Sequence, residues 1–201
     1  MKPARAIAAA ALCALLLASA GCDKLFGPSR PAFHGVDVTG MEAGQALRLP
    51  DFNGKVRTLA DFRGKVVLVE FGYTQCPDVC PTTLHDYAQA MKLLGDDASR
   101  VQLLFVTVDP KRDTAEVLRE YVPAFDPRFL GLRGDEAEIE RVTKDFRVYA
   151  QARPGKTPES YTVDHASQVF AFGPDGRLRL MIPANTKPED IASDVRALLA
   201  S

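Results

Sequence analysis

The sequence predicts an α/β fold, with one central mixed sheet flanked by helices and an N-terminal hairpin. Three observations carry this expectation. Apolar runs of strand length alternate with capped segments of helical length, two short runs flank Asn53-Gly54, and the chain closes with a turn-linked pair of strands and a helix. The 201 residues are 46% hydrophobic, enough for one domain with a real core once a leader is set aside. The 25 basic and 26 acidic side chains leave a formal charge of −1 with no long run of either sign, which gives no footprint for nucleic acid.

Residues 1–21 read as an export signal. Lys2 and Arg5 precede an apolar run from Ala6 to Ala18, too short to span the ~30 Å hydrocarbon core of a membrane comfortably. The run ends in Ala18-Ser19-Ala20-Gly21-Cys22-Asp23, which resembles the lipobox of bacterial lipoproteins, with Ser19 where that motif usually has Leu. The resemblance implies that Cys22 is acylated and becomes the mature N-terminus. Asp23 resembles the residue that holds lipoproteins at the periplasmic face of the bacterial inner membrane. Ala18-Ser19-Ala20 also satisfies the small-x-small rule, so ordinary cleavage with secretion, or an uncleaved anchor, is the alternative. Cys13 lies within the apolar run and has no chemistry to explain. Residues 22–32, with Gly27, Pro28 and Pro31, read as a flexible tether to a domain over 33–201.

Within that domain, Leu47 to Phe52 and Val56 to Leu59 flank Asn53-Gly54, the strongest local hairpin signal. Lys65 to Phe71 reads as a buried strand, Pro81 to Leu94 as a helix, and Val101 to Val108 as the next strand. Asp113-Thr114-Ala115-Glu116 has capping chemistry for a helix ending near Tyr121, ahead of Pro123. Asp135 to Glu138 repeats that signal for a helix to about Phe146. A loop bearing Pro154, Gly155 and Pro158 follows. Strands from Gln168 to Phe172 and Leu178 to Ile182 then flank a Gly173-Pro174-Asp175-Gly176 turn, and a last helix begins near Pro188.

The chemistry concentrates after the first buried strand. With Cys13 and Cys22 set aside, Cys76 and Cys80 remain as one close pair in an oxidising compartment. A structural disulfide closing so few residues restricts the unfolded chain little, so stapling is the weaker reading. Each cysteine precedes a proline, which places Cys76 on the loop and Cys80 at or near the helix N-cap, with Pro81 at the first helical position. Unpaired N–H groups and the helix dipole there favour a thiolate. Two soft sulfurs point to copper(I), zinc or an iron–sulfur cluster and call for a further ligand. Of the three histidines, His34 and His85 sit where lone histidines are polar surface or satisfied core groups. His165, between a Pro/Gly-bearing loop and the strand from Gln168, is the candidate, though spacing alone leaves it between ligand and ordinary loop residue.

The segments Phe71 to Thr83, with FGYTQCPDVCP, Val106 to Leu118 (VTVDPKRDTAEVL) and Tyr161 to Val169 (YTVDHASQV) resemble the Sco/SenC copper chaperones, and the resemblance runs from about Phe33 to the C-terminus. It implies a thioredoxin-like fold and a copper ion, Cu(I) or Cu(II), bound by Cys76, Cys80 and His165. It also implies copper delivery to the dinuclear copper centre of cytochrome c oxidase subunit II, or reduction of that subunit's thiols through Cys76 and Cys80. A thioredoxin-like reductant or copper donor protein is the second implied partner. Asp78 and Asp109 match acidic positions of the family and are expected to be structural. Gln75 stands where the family frequently has His, and Ala166 where Ser is frequent, with consequences for hydrogen bonding and redox tuning. The Cys-x-x-x-Cys spacing is wider than that of ordinary thioredoxins but does not abolish thiol exchange. A peroxiredoxin signature is absent, because Tyr73 and Pro77 occupy the threonine positions before the two cysteines.

Overall fold

The computed structural model describes residues 33–157 and 160–201; the leader, Cys13, Cys22, the tether and Pro158 lie outside the described residues. In chain order come β1 (Val36–Asp37), β2 (Leu49–Pro50), β3 (Val56–Arg57), β4 (Val66–Gly72), α1 (Val79–Leu94), β5 (Val101–Thr107) and α2 (Ala115–Tyr121). They are followed by β6 (Leu130–Leu132), α3 (Glu136–Asp145), β7 (Ala150–Arg153), β8 (Thr162–His165), β9 (Val169–Phe172), β10 (Leu178–Ile182) and α4 (Pro188–Leu199). The central six-stranded sheet has the order β1-β10-β9-β4-β5-β6. Strands β4, β5 and β6 run parallel, whereas β9 pairs antiparallel with both β4 and β10, so the sheet is mixed as expected.

Helices cover both faces, which is why all seven residues of β4 are buried and why the strand reads as a nearly continuous apolar run. Val66 and Leu68 pack with α1 and α4, while Val67, Val69 and Phe71 pack with α3 on the opposite side, following the two-residue period of a strand. Phe146, at the end of α3, meets Phe71 and Phe170 edge-on at 5.0 and 5.1 Å between ring centres. This second layer anchors the strand that carries the chain to the cysteines.

Local sequence chemistry sets the element ends. Asp135 accepts the Glu138 amide at 2.7 Å and Glu138 accepts the Asp135 amide at 3.0 Å, a complete capping box at the start of α3. Thr114 caps α2 through its hydroxyl, 3.3 Å from the Val117 amide. The Asn53-Gly54 hairpin forms as a separate sheet of β2 and β3, with Gly54 at φ +83°. Its strands are shorter than the sequence suggests because Asp51 captures the Asn53 and Lys55 amides near the turn. Strands β1 and β6 are too short to show a periodicity. The segment read as a loop around Pro154 is instead the connection of a second hairpin, β7–β8, which forms a sheet of its own.

Candidate metal centre

Buried β4 ends at Gly72, and Tyr73, only 2% exposed, carries the chain into the cysteine loop. The Cys76 amide donates to the Tyr73 carbonyl at 3.1 Å, which turns the loop. Asp113 pins that loop from below. Its buried carboxylate accepts from the Thr74 hydroxyl at 2.6 Å, the Thr74 amide at 3.1 Å and the Thr107 hydroxyl at 2.6 Å, joining the ends of β4 and β5. Helix α1 begins at Val79 with Asp78 as N-cap, two residues before the expected start. Cys80 therefore lies within the first turn and not at the cap. Proline at the third helical position loses no intrahelical bond, because the first four amides of a helix have no partner inside it.

The reason Cys80 fits is an absent side chain. A Cβ at Gly72 would lie 2.8 Å from the Cys80 sulfur and 2.8 Å from Phe105 Cε2, so glycine allows the helix start to seat against the strand end. Cys80 is 1% exposed, Cys76 is partly buried, and both are free thiols. His165 reaches the pair from β8, with Nε2 3.4 Å from the Cys80 sulfur. It ends a strand and does not sit on the loop that the sequence suggested. The two sulfurs and an imidazole nitrogen all lie within 4.8 Å of one another. His165 Nδ1 is 3.0 Å from the Ala166 carbonyl; a carbonyl only accepts, so Nδ1 carries a proton, and Nε2 is the ring nitrogen that faces the Cys80 sulfur. The Tyr73 ring stands edge-on to the imidazole at 5.9 Å.

The two thiols differ electrostatically. Cys80 donates its S–H to Cys76, and the Asp78 and Cys80 amides also point at Cys76, holding its pKa down at about 4. The same hydrogen bond, with burial, pushes the Cys80 thiol well above its ordinary value. The surroundings thus favour the thiolate at partly buried Cys76 and the protonated thiol at buried Cys80.

The other sequence candidates fall elsewhere. His34 lies 3.5 Å from Asp190, and His85 faces Gln89 on the surface of α1. Asp78 is exposed, and Asp109 accepts from the Tyr161 hydroxyl at 2.7 Å and from Arg112. Neither aspartate joins the sulfur–imidazole group. Sequence reasoning passed over Tyr73 and Asp113: Asp113 reads as helix-capping chemistry, whereas its bonds run to residues distant in the chain.

A family model described as SCO1/SenC matches residues 38–200. The mitochondrial SCO2 homolog of Bos taurus is 40% identical over 155 residues, covering 76% of this chain and 58% of its own length. The chain spans about three fifths of the length of the mammalian relatives it matches. Among solved structures, Bradyrhizobium japonicum ScoI with copper bound superposes with a TM-score of 0.69 at 38% identity, over 82% of this chain and 98% of that one. BsSco, described with a disulfide switch as a member of the Sco family of cytochrome c oxidase assembly proteins, superposes with a TM-score of 0.62 at 25% identity, over 84% and 98%. The fold is thioredoxin-like, as these neighbours share it.

Proposed function

Because the chain belongs to the SCO1/SenC family, we propose that it is an exported, membrane-tethered copper chaperone that delivers copper to the dinuclear copper centre of cytochrome c oxidase subunit II. Cys76, Cys80 and His165 hold the copper cargo. The observation that carries this reading is the convergence of two sulfurs and one imidazole nitrogen within 4.8 Å. Two soft sulfurs suit copper(I), and three donors fall short of the four that close a structural zinc site. The copper held by the Bradyrhizobium japonicum relative and the oxidase-assembly role ascribed to the BsSco family support the assignment. Acylated Cys22 anchors the chain at the periplasmic face of the inner membrane, and residues 22–32 tether the domain over 33–201. Among the described residues no helix is long and apolar enough to cross a membrane. An anaerobic copper titration of the reduced protein tests the reading. One tightly held ion per chain is expected, and no binding leaves only thiol chemistry.

The asymmetry of the pair favours a second activity on the same residues. The Cys76 thiolate attacks one sulfur of a partner's disulfide, forming a mixed disulfide and releasing a partner thiolate. Cys80, once deprotonated, attacks the Cys76 sulfur, closes the Cys76–Cys80 disulfide and releases the second partner thiolate. Two electrons pass from the pair to the partner. A thioredoxin-like reductant returns the pair to the thiol state, and a copper donor protein reloads it.

A further inference from the structure

His165 rides on an element that the central sheet does not hold. Among the described residues, strands β7 and β8 pair only with each other, and all four residues of β7 are exposed. Apart from the three-residue link from His165 to β9, the position of the imidazole therefore depends on side chains that grip the hairpin. One such grip is at Tyr161, the residue before β8. The Arg112 guanidinium lies 3.6 Å from the centre of the Tyr161 ring, and Nη1 donates to the Tyr161 carbonyl at 2.9 Å. The Tyr161 hydroxyl donates to Asp109 at 2.7 Å, and Asp109 also accepts from Arg112 Nε. Tyr161 is thus held at its backbone, ring and hydroxyl by one ion pair, whose side chains are 14% and 4% exposed.

Arg112 holds the cysteine loop with the same guanidinium. Nη1 donates to Gln75 Oε1 at 3.0 Å, and Gln75 directly precedes Cys76. The guanidinium carbon also stands 5.6 Å from the Tyr73 ring centre. Nη1 alone donates to both Gln75 and Tyr161, while Nε of the same rigid plane is fixed on Asp109, so the ion pair sets the direction from which Nη1 reaches the two segments.

We infer that Arg112 is a positioning residue for the metal centre: it ties the cysteine loop to the strand that carries His165 and so sets the imidazole against the two sulfurs. The inference rests on the ligand assignment proposed above. Arg112 acts through Gln75 on one side and Tyr161 on the other. A short strand is stiff, so a shift at Tyr161 is carried along Thr162–His165 to the imidazole.

The test is a double-mutant cycle on the reduced, anaerobic protein, read by Cu(I) competition against a chelator of known affinity. Arg112→Gln is expected to weaken Cu(I) retention roughly 10–100-fold, the range found when groups supporting a metal ligand are removed. On a His165→Ala background the same substitution should cost little more, because the residue it positions is gone. Arg112→Lys keeps the charge beside Asp109 but not the fork, and should recover only part of the loss. The metal-free protein supplies a readout that a general stability role would not move. The His165 imidazole nitrogen resonances should report a single Nδ1-protonated tautomer in the wild type and a mixture in Arg112→Gln. Should Arg112→Gln not fold, Tyr161→Phe, which removes only the hydroxyl link to Asp109, carries the same cycle with a smaller loss expected. Equal losses in the presence and absence of His165, or wild-type retention by the Arg112 variant, would overturn the inference. Wild-type retention by His165→Ala alone would instead overturn the ligand assignment beneath it.

Discussion

Cys76 and Cys80 place the same side chain in two surroundings, and their reactivities should separate accordingly. The Cys76 pKa of about 4 means that its thiolate fraction rises through that pH and is complete well below neutrality. Its alkylation by iodoacetamide should level off by about pH 6, two units above that value, at which ionisation is nearly complete. Cys80 should stay unlabelled until the protein unfolds. A Cys76 rate still climbing at pH 8 would contradict the hydrogen bonding described. Replacing either cysteine by serine should abolish the sulfur-to-copper absorption of the Cu(II) form, and His165→Ala should weaken copper retention more than His34→Ala or His85→Ala, measured by chelator competition. Glu70 makes a separate prediction. Its carboxyl is buried in β4, and Oε2 has no partner among the described residues. Burial pushes its pKa well above 4.5, so the folded state keeps a proton that the unfolded state loses as pH rises past that value. Stability from this group is therefore present at low pH and falls as pH rises toward the folded pKa. Glu70→Gln should flatten that slope and raise the melting temperature at neutral pH; an unchanged slope would place the proton elsewhere.

At the scale of elements, the junction of β4 with α1 leaves no spare volume. Gly72→Ala would put a methyl group 2.8 Å from both the Cys80 sulfur and Phe105, and should cost about 1–3 kcal/mol in thermal or denaturant unfolding. Copper retention should fall with it as Cys80 is pushed off its seat. Substitution without effect on either measurement would mean that the contact relaxes freely. Most elements were legible because their chemistry is local: the caps at Thr114 and Asp135, the Asn53-Gly54 turn and the buried run of β4 all announce themselves within a few residues. What was not legible depends on distant contacts. The β7–β8 hairpin hides because β7 is four residues long, exposed throughout and carries only alanine at its apolar positions, while Pro154 and Gly155 signal the loop that connects it. His165 was therefore identifiable as a residue but not as the end of a strand. Asp113 looked like helix-capping chemistry, yet its carboxylate is spent on Thr74 and Thr107. The early start of α1 also went against the bias that Pro81 places on Cys80, which the packing of Cys80 against Gly72 outweighs.

For the whole molecule, the proposed metal binding and thiol exchange would compete for one pair, since Cys76 and Cys80 are the only cysteines of residues 33–201. A disulfide offers no anionic sulfur, so oxidation should release copper and reduction restore the site. Protein trapped with the Cys76–Cys80 disulfide and confirmed by mass should take up no copper until it is reduced. The proposed attachment through Cys22 is separable from the metal centre. Cys22→Ala should block lipoprotein processing and leave copper binding intact, because each buried acyl CH₂ contributes ~0.8 kcal/mol to membrane binding and nothing to the metal centre. Mature protein that begins at Gly21 and is freely soluble would favour ordinary secretion. Whether two sulfurs and one imidazole hold the cargo is tested most directly by X-ray absorption at the copper edge of the reduced, Cu(I)-loaded protein. The expected spectrum shows two sulfur neighbours and one nitrogen, with the nitrogen lost in His165→Ala. A shell of nitrogen and oxygen alone, or a spectrum unchanged in that variant, would contradict the account.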